Sequence, residues 1–170
     1  SYYSLAPTLN EIFANPRLNN AITPYLENQL INSNDLSFIH RGQVLKLRLS
    51  GYYNNVSNST EISRYFAEGI ATYNADTNSI TSKDVFVAEI LSNVEKEFIG
   101  SELGIDVKVS PTLNIIAVGS LGQYVYKNNP NVFLMSDDLV GIQDLGKAYL
   151  KDYKVAGTPQ KAASLGFRYN

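Results

Sequence analysis

The stretch Leu45-Lys46-Leu47-Arg48-Leu49-Ser50-Gly51-Tyr52-Tyr53 decides the fold class of this chain. Every second residue reads Leu45, Leu47, Leu49, Gly51, Tyr53, and the interleaved set reads Lys46, Arg48, Ser50, Tyr52. Successive side chains of a strand point to opposite faces, so a period of two predicts a strand with an apolar and a polar side. The split recurs at Ile99, Ser101, Leu103, Ile105, Val107 and Val109 against Gly100, Glu102, Gly104, Asp106 and Lys108. It recurs again at Ala163, Leu165, Phe167 and Tyr169 against Ser164, Gly166 and Arg168. Two architectures want such strands: a sheet with one face on a core, or a barrel with lipid outside and water inside.

Working outward, Gly, Pro and Asn mark the turns. Ser1 to Pro24 holds Pro7, Pro16 and Pro24 and reads as irregular. Strands are expected near 29–40, 43–53, 95–109, 113–126 and 153–169, the last clearest from Lys161 to Tyr169. Tight turns fall at Arg41-Gly42-Gln43 and Ser110-Pro111-Thr112; Asn54 to about Ser92 and the stretch around Asn128-Asn129-Pro130-Asn131 read as long connections. Long and short connections therefore alternate, which is the rhythm of an outer-membrane barrel rather than of a sandwich with evenly spaced turns. Two segments depart from the pattern. Ile116 and Val118 fall on the polar side of their strand, which means either packed protein against that wall or a different register. Val85, Ala88, Leu91 and Val94 recur at three-residue spacing, so a short helix competes with a strand there.

The 170 residues suffice for one domain with a sizeable core. A net charge of −2 and the lack of any basic run argue against a nucleic-acid partner. No cysteine is present, so disulfides and thiolate chemistry are excluded. The longest apolar run is short, Ile115 to Val118, so no membrane-spanning helix is expected. With no initiator Met and no signal-peptide pattern, the chain is expected to begin within a protein or after processing.

Several stretches resemble the β-barrel of TonB-dependent outer-membrane receptors, particularly the Bacteroidota type. Pro7-Thr8-Leu9-Asn10-Glu11-Ile12-Phe13 followed by Asn15-Pro16-Arg17-Leu18 is similar to the loop before a mid-to-late barrel strand, and Leu47 to Tyr53 resembles the rising strand after it. Asn93-Val94-Glu95-Lys96 leading to Gly100-Ser101-Glu102-Leu103-Gly104 resembles a descending strand, and Pro111-Thr112-Leu113 fits the following periplasmic turn. Gly122 to Tyr126, Asn128 to Val132 and Ser136-Asp137-Asp138 resemble the next rising strand and its extracellular loop. Gly157-Thr158-Pro159-Gln160 before Ser164-Leu165-Gly166 resembles the entry to a near-terminal strand. The likeness covers nearly the whole chain in order.

The resemblance implies an all-β fold: an antiparallel transmembrane β-barrel segment of about five or six strands, with long extracellular loops and short periplasmic turns. It implies residence in the bacterial outer membrane and energised uptake of a nutrient (siderophore, haem, glycan or peptide) by non-covalent binding and gated transport. The implied partners are membrane lipid and lipopolysaccharide, the rest of the receptor barrel and its plug, TonB acting through that plug, and a surface lipoprotein. Neither a plug nor a TonB box is represented, and so few strands cannot close a barrel. The expectation is therefore a piece of a larger receptor.

On this reading Leu45, Leu47, Leu49, Leu103, Ile105, Val107, Leu165 and Phe167 face lipid. Lys46, Arg48, Glu102, Asp106, Lys108 and Arg168 face the lumen, as a hydrated wall that pairs across strands or with a plug, or as a substrate path. Tyr65, Phe66, Tyr73, Phe133 and Tyr149 are the loop aromatics that would stack on a ligand. No catalytic or metal constellation assembles, so neither an enzyme nor a cofactor is expected. His40 is the sole histidine, Asp137-Asp138 lacks calcium-loop spacing, and Val118-Gly119-Ser120 lacks the glycine of a nucleophile elbow. The alternative is a soluble secreted or cell-surface β-sandwich that binds carbohydrate or protein, with the same leucines in a dry core.

Overall fold

Strict alternation makes strands, and the computed structural model puts every one of them in a single antiparallel sheet. It describes residues 1–15, 20–74, 76, 78–139 and 141–169, with the side chains of 72–74 outside the description. In chain order the elements are β1 Tyr2–Leu5, α1 Leu9–Ile12, β2 Gln29–Arg41, β3 Leu45–Asn74, β4 Ser79–Lys108, β5 Leu113–Tyr126, β6 Asn131–Met135, β7 Gln143–Lys147 and β8 Lys161–Tyr169. The strand order is β1-β2-β3-β4-β5-β8, and β6 and β7 extend the sheet sideways from β4. The sheet stays open and does not close into a barrel.

Two tight turns lie at one end of the sheet, here the turn end. Gly42 N–H donates to the Leu45 carbonyl at 2.8 Å, and Val109 N–H to the Leu113 carbonyl at 2.9 Å. Their shortness fixes the register of β2 on β3 and of β4 on β5. Leu47 therefore pairs with Ile105, Ile105 with Ala117, and Ala117 with Leu165.

The expected long connection from Asn54 to Ser92 does not exist. β3 and β4 are 30 residues each and form one hairpin whose last pair is Asn74 with Ser79. At about 3.3 Å per residue each strand is about 100 Å long. Polar composition suggested a loop, yet a hairpin tolerates Asn, Ser and Thr on its exposed positions once its backbone groups are paired. The Asn and Gly positions are where the ladder slips: register shifts fall between Val56 and Ser59 and between Ala67 and Ile70, beside Asn58 at φ 57° and Gly69 at φ 69°. Left-handed backbone of this kind is what a bulge needs.

The helix alternative over Val85 to Phe98 is also excluded. Those residues lie in β4, held by β3 on one edge and by β5 and β6 on the other. Ser1 to Pro24, expected to be irregular, contributes β1 and α1, where the Glu11 carboxylate accepts from the Thr8 N–H at 2.6 Å. Pro16, Arg17 and Leu18 of the resembling loop lie outside the described residues. The strand expected over 153–169 starts only at Lys161; upstream, Lys154 makes an isolated bridge to Val125, and Gly157 at φ 78° precedes Pro159.

The described core lies at the far end, away from the turns. There Ala88, Ile90, Phe133 and Met135 pack with Ala14 on one side of the sheet, and Val85, Val87 and Leu134 pack on the other. The chain before β2 covers the first side. Arg64 Nε and Nη2 donate to the Ala14 carbonyl at 3.0 and 2.6 Å, and Ser92 Oγ donates to the Pro24 carbonyl at 2.8 Å.

Candidate functional site: one leucine face and one charged face

Cross-strand register assigns each face, because directly paired residues point the same way. On one side stand Leu36 and Phe38 of β2, Leu45, Leu47 and Leu49 of β3, and Leu103, Ile105 and Val107 of β4. Ile115, Ala117 and Leu121 of β5 and Leu165 and Phe167 of β8 continue the same side. All eight expected apolar residues thus share one surface. Leu45, Leu49, Leu103, Leu165 and Phe167 are exposed, and Leu47, Ile105 and Val107 are half-buried only by lateral neighbours. No strand of the described residues lies over them, so the second sheet a sandwich requires is not formed. Register brings Leu36, at 81% exposure, and Leu121 into this surface as well.

The boundary of this surface is chemically marked. Tyr53 pairs with Ile99 at its upper row. One row further, Glu97 accepts from the Tyr53 hydroxyl at 3.0 Å and from Lys127 Nζ at 3.1 Å. That ammonium, chiefly, holds the Glu97 carboxyl below its ordinary range, and the same bond raises Lys127. His40 sits on this side opposite Leu47, near the turn end.

Lys46, Arg48, Glu102, Asp106, Lys108 and Arg168 occupy the opposite face together. Lys46 stands directly across from Asp106, which also accepts from Asn114 Nδ2 at 2.7 Å and lies 3.7 Å from Arg168 Nη1. Arg48 Nε donates to Ser50 Oγ at 3.2 Å. Two hollows open here: one of about 400 Å³ bordered by Arg48, Glu102, Val118 and Ser164, and one of about 310 Å³ bordered by Lys46, Lys108, Asn114 and Arg168. Ile116 and Val118 do lie on this face, opposite Asp106 and Gly104.

Above the hollows the same face carries an aromatic patch that sequence reading missed. Tyr52 and Tyr124 join hydroxyl to hydroxyl, and their rings cover the paired Gly100 and Gly122. A Cβ on Gly100 would lie 2.5 Å from Tyr52 Oη and 2.7 Å from the Leu121 carbonyl oxygen. Phe98 packs on Tyr124 with centroids 5.5 Å apart. Higher still, Lys96 pairs with Glu61, which accepts from the Tyr126 hydroxyl at 3.3 Å. The signal available in the sequence was Gly100 and Gly122 interleaved with aromatics on the polar half of the alternation.

The expected loop aromatics do not form one cluster. Phe133 is 4% exposed, lies in the core against Tyr25 and presents no surface to a ligand. Tyr65 and Phe66 belong to β3, not to a loop. The Tyr65 hydroxyl donates to Glu89 at 2.7 Å, a bond that raises the pKa of the phenol, and Phe66 meets Phe86 edge-on at 5.2 Å. Tyr149 is exposed in the connection after β7, and the side chain of Tyr73 lies outside the described residues.

Among the described residues no group of three His, Cys, Asp or Glu side chains could hold a metal ion, and no helix is long and apolar enough to cross a membrane. The arrangement offers non-covalent chemistry: an apolar sheet face backed by a charged one. In comparisons with known proteins, no family model matches the chain, and neither a curated protein nor a solved structure does.

Proposed function

We propose that this chain is part of the barrel wall of a TonB-dependent receptor in a bacterial outer membrane, mediating energised nutrient uptake. The observation that carries the reading is the uncovered leucine surface, continuous over β2, β3, β4, β5 and β8 and backed by charges on the opposite side. Water would leave that surface unburied, whereas hydrocarbon covers it without a second protein layer. Its height also fits. From Ile99 to Val109 a strand rises about 33 Å, or about 25 Å along the membrane normal at a tilt near 40°, which matches an outer-membrane apolar band.

In this reading the charged face lines a watery interior and the turn end faces the periplasm. The upper half of the β3–β4 hairpin, with its cover, stands outside the cell. The edges at β2, beyond the short β1, and at β8 are completed by further barrel strands, since unpaired backbone groups in lipid cost several kcal/mol each. Ligand capture falls to the outer region, where Phe66 and Tyr149 are exposed. The wall and loops bind, and the energy for passage comes through TonB.

The test uses the intact protein in its own cells. We expect it to remain in the outer-membrane fraction through alkaline carbonate extraction, and deletion of its gene or of TonB to abolish uptake of the same nutrient. Release by carbonate, together with labelling of Leu49→Cys by a water-soluble maleimide, overturns the proposal.

A further inference from the structure

Midway up the polar wall two glycines carry a flat aromatic tile. Tyr52 and Tyr124 meet hydroxyl to hydroxyl, with ring planes 22° apart and centroids separated by 6.5 Å. With the hydroxyls in contact and the centroids that far apart, neither ring covers the other, so they lie head to head. Beneath them are the paired Gly100 and Gly122, where an added Cβ would lie 2.5 Å from Tyr52 Oη and 2.6 Å from Tyr124 Cζ. One face of each ring is therefore pressed on glycine backbone and the other is turned away from the sheet. Tyr124 is 8% exposed, with Phe98 tilted against it, whereas Tyr52 and Phe98 are only half-buried and keep open surface.

The hollow of about 400 Å³ adjoins this tile. Ser50, Glu102 and Ser120 form the row directly below Tyr52, Gly100 and Gly122, about 7 Å along the strands. Gly104, Val118 and Ala162 give the hollow an apolar floor. On its rim, Glu102 and the hydroxyls of Ser120 and Ser164 have no hydrogen bond or ion pair among the described residues, and Arg48 uses only Nε, on Ser50. The rim thus offers one cation, one anion and hydroxyls that both donate and accept. A polyanionic chelate or tetrapyrrole would meet the Glu102 carboxylate, and a peptide brings no fixed flat face to the ring. A neutral sugar fits both parts: its C–H face covers an aromatic ring while the hydroxyls around its edge donate and accept.

We propose that the aromatic tile and the adjoining hollow are a subsite for a neutral oligosaccharide, with one sugar ring on the open face of Tyr52 beside Phe98 and the next bonded to Glu102 and Arg48. The inference rests on the receptor reading, in which this face lines the interior, and narrows the imported nutrient to one chemical class.

The experiment is titration calorimetry of the intact protein, purified in detergent, with neutral hexasaccharides of glucose, galactose, mannose, xylose or N-acetylglucosamine. Haem, a ferric catecholate and a hexapeptide are titrated beside them. We expect a hexasaccharide to bind and Tyr52→Ala to weaken it about tenfold. Tyr52→Phe, which keeps the ring, retains most of the affinity. Ala162→Trp fills the hollow from an exposed position without touching the tile and abolishes binding, so it decides the matter even if Tyr52→Ala fails to fold. Absence of binding by every hexasaccharide overturns the proposal. So does sugar binding that Tyr52→Ala and Ala162→Trp leave unchanged, or binding of haem, chelate or peptide that Ala162→Trp blocks. Carbonate extraction separates the two readings. A protein that resists extraction but binds no sugar loses only the subsite, and one that carbonate releases but that binds sugar through Tyr52 loses only the receptor reading.

Discussion

Leu49 and Leu103 pair in the middle row of the leucine surface, equidistant from Leu45/Val107 at the turn end and Tyr53/Ile99 at the other. If hydrocarbon covers that surface, Leu49→Arg places a cation near the bilayer midplane, at a cost of about 2–4 kcal/mol. Leu45 lies four residues away, about 13 Å along the strand and about 10 Å in depth at a 40° tilt, so Leu45→Arg sits near the interface and costs about 0–1 kcal/mol. Leu47→Arg, between them, falls between those limits. Arg48→Leu points the other way and loses little beyond the 3.2 Å bond to Ser50, about 1 kcal/mol. The assay is reversible denaturant unfolding of the intact protein in lipid vesicles, followed by circular dichroism. At 1.4 kcal/mol per decade, Leu49→Arg lowers the folded-to-unfolded ratio by about thirty- to several-hundred-fold. In water an exposed leucine could be replaced within about ±0.5 kcal/mol. A Leu49→Arg effect that small, or equal losses at positions 45 and 49, refutes the reasoning.

Gly100→Ala brings a Cβ within 2.5 Å of Tyr52 Oη and 2.7 Å of backbone, so a loss of about 1–3 kcal/mol is expected in the same unfolding assay. Gly104→Ala meets nothing closer than 3.9 Å and should be nearly neutral; the reverse order would refute the packing. Glu97 and Lys127 set a pH window. The lowered carboxyl contributes stability above its ordinary value of 4.5 and loses it as pH falls through the lowered value, while the raised ammonium contributes below 10.5 and loses it as pH rises through the raised value. Lys127→Met should return the Glu97 titration, followed by carboxyl NMR, toward 4.5; an unmoved titration would show that Lys127 is not the cause.

The period of two determined the facing of every residue from Leu45 to Tyr53 and from Ile99 to Val109, because alternation is a property of the extended backbone itself. The tight turns were legible for a similar reason: Gly42 frees the local backbone to turn and Pro111 fixes its φ, whatever lies around them. Asn54 to Ser92 was not legible, since water-facing strands and loops share composition and only cross-strand pairing separates them. Phe133 was misjudged as a loop aromatic because its burial depends on Ala14 and Ile90, which are distant in sequence. Which residues join the leucine surface from β2 and β5 followed from register, a long-range property. Whether a second layer covers that surface is the tertiary structure's decision, because one alternating strand satisfies a protein core and a bilayer equally well. Here the strands all lie side by side in one sheet, which leaves the leucines open.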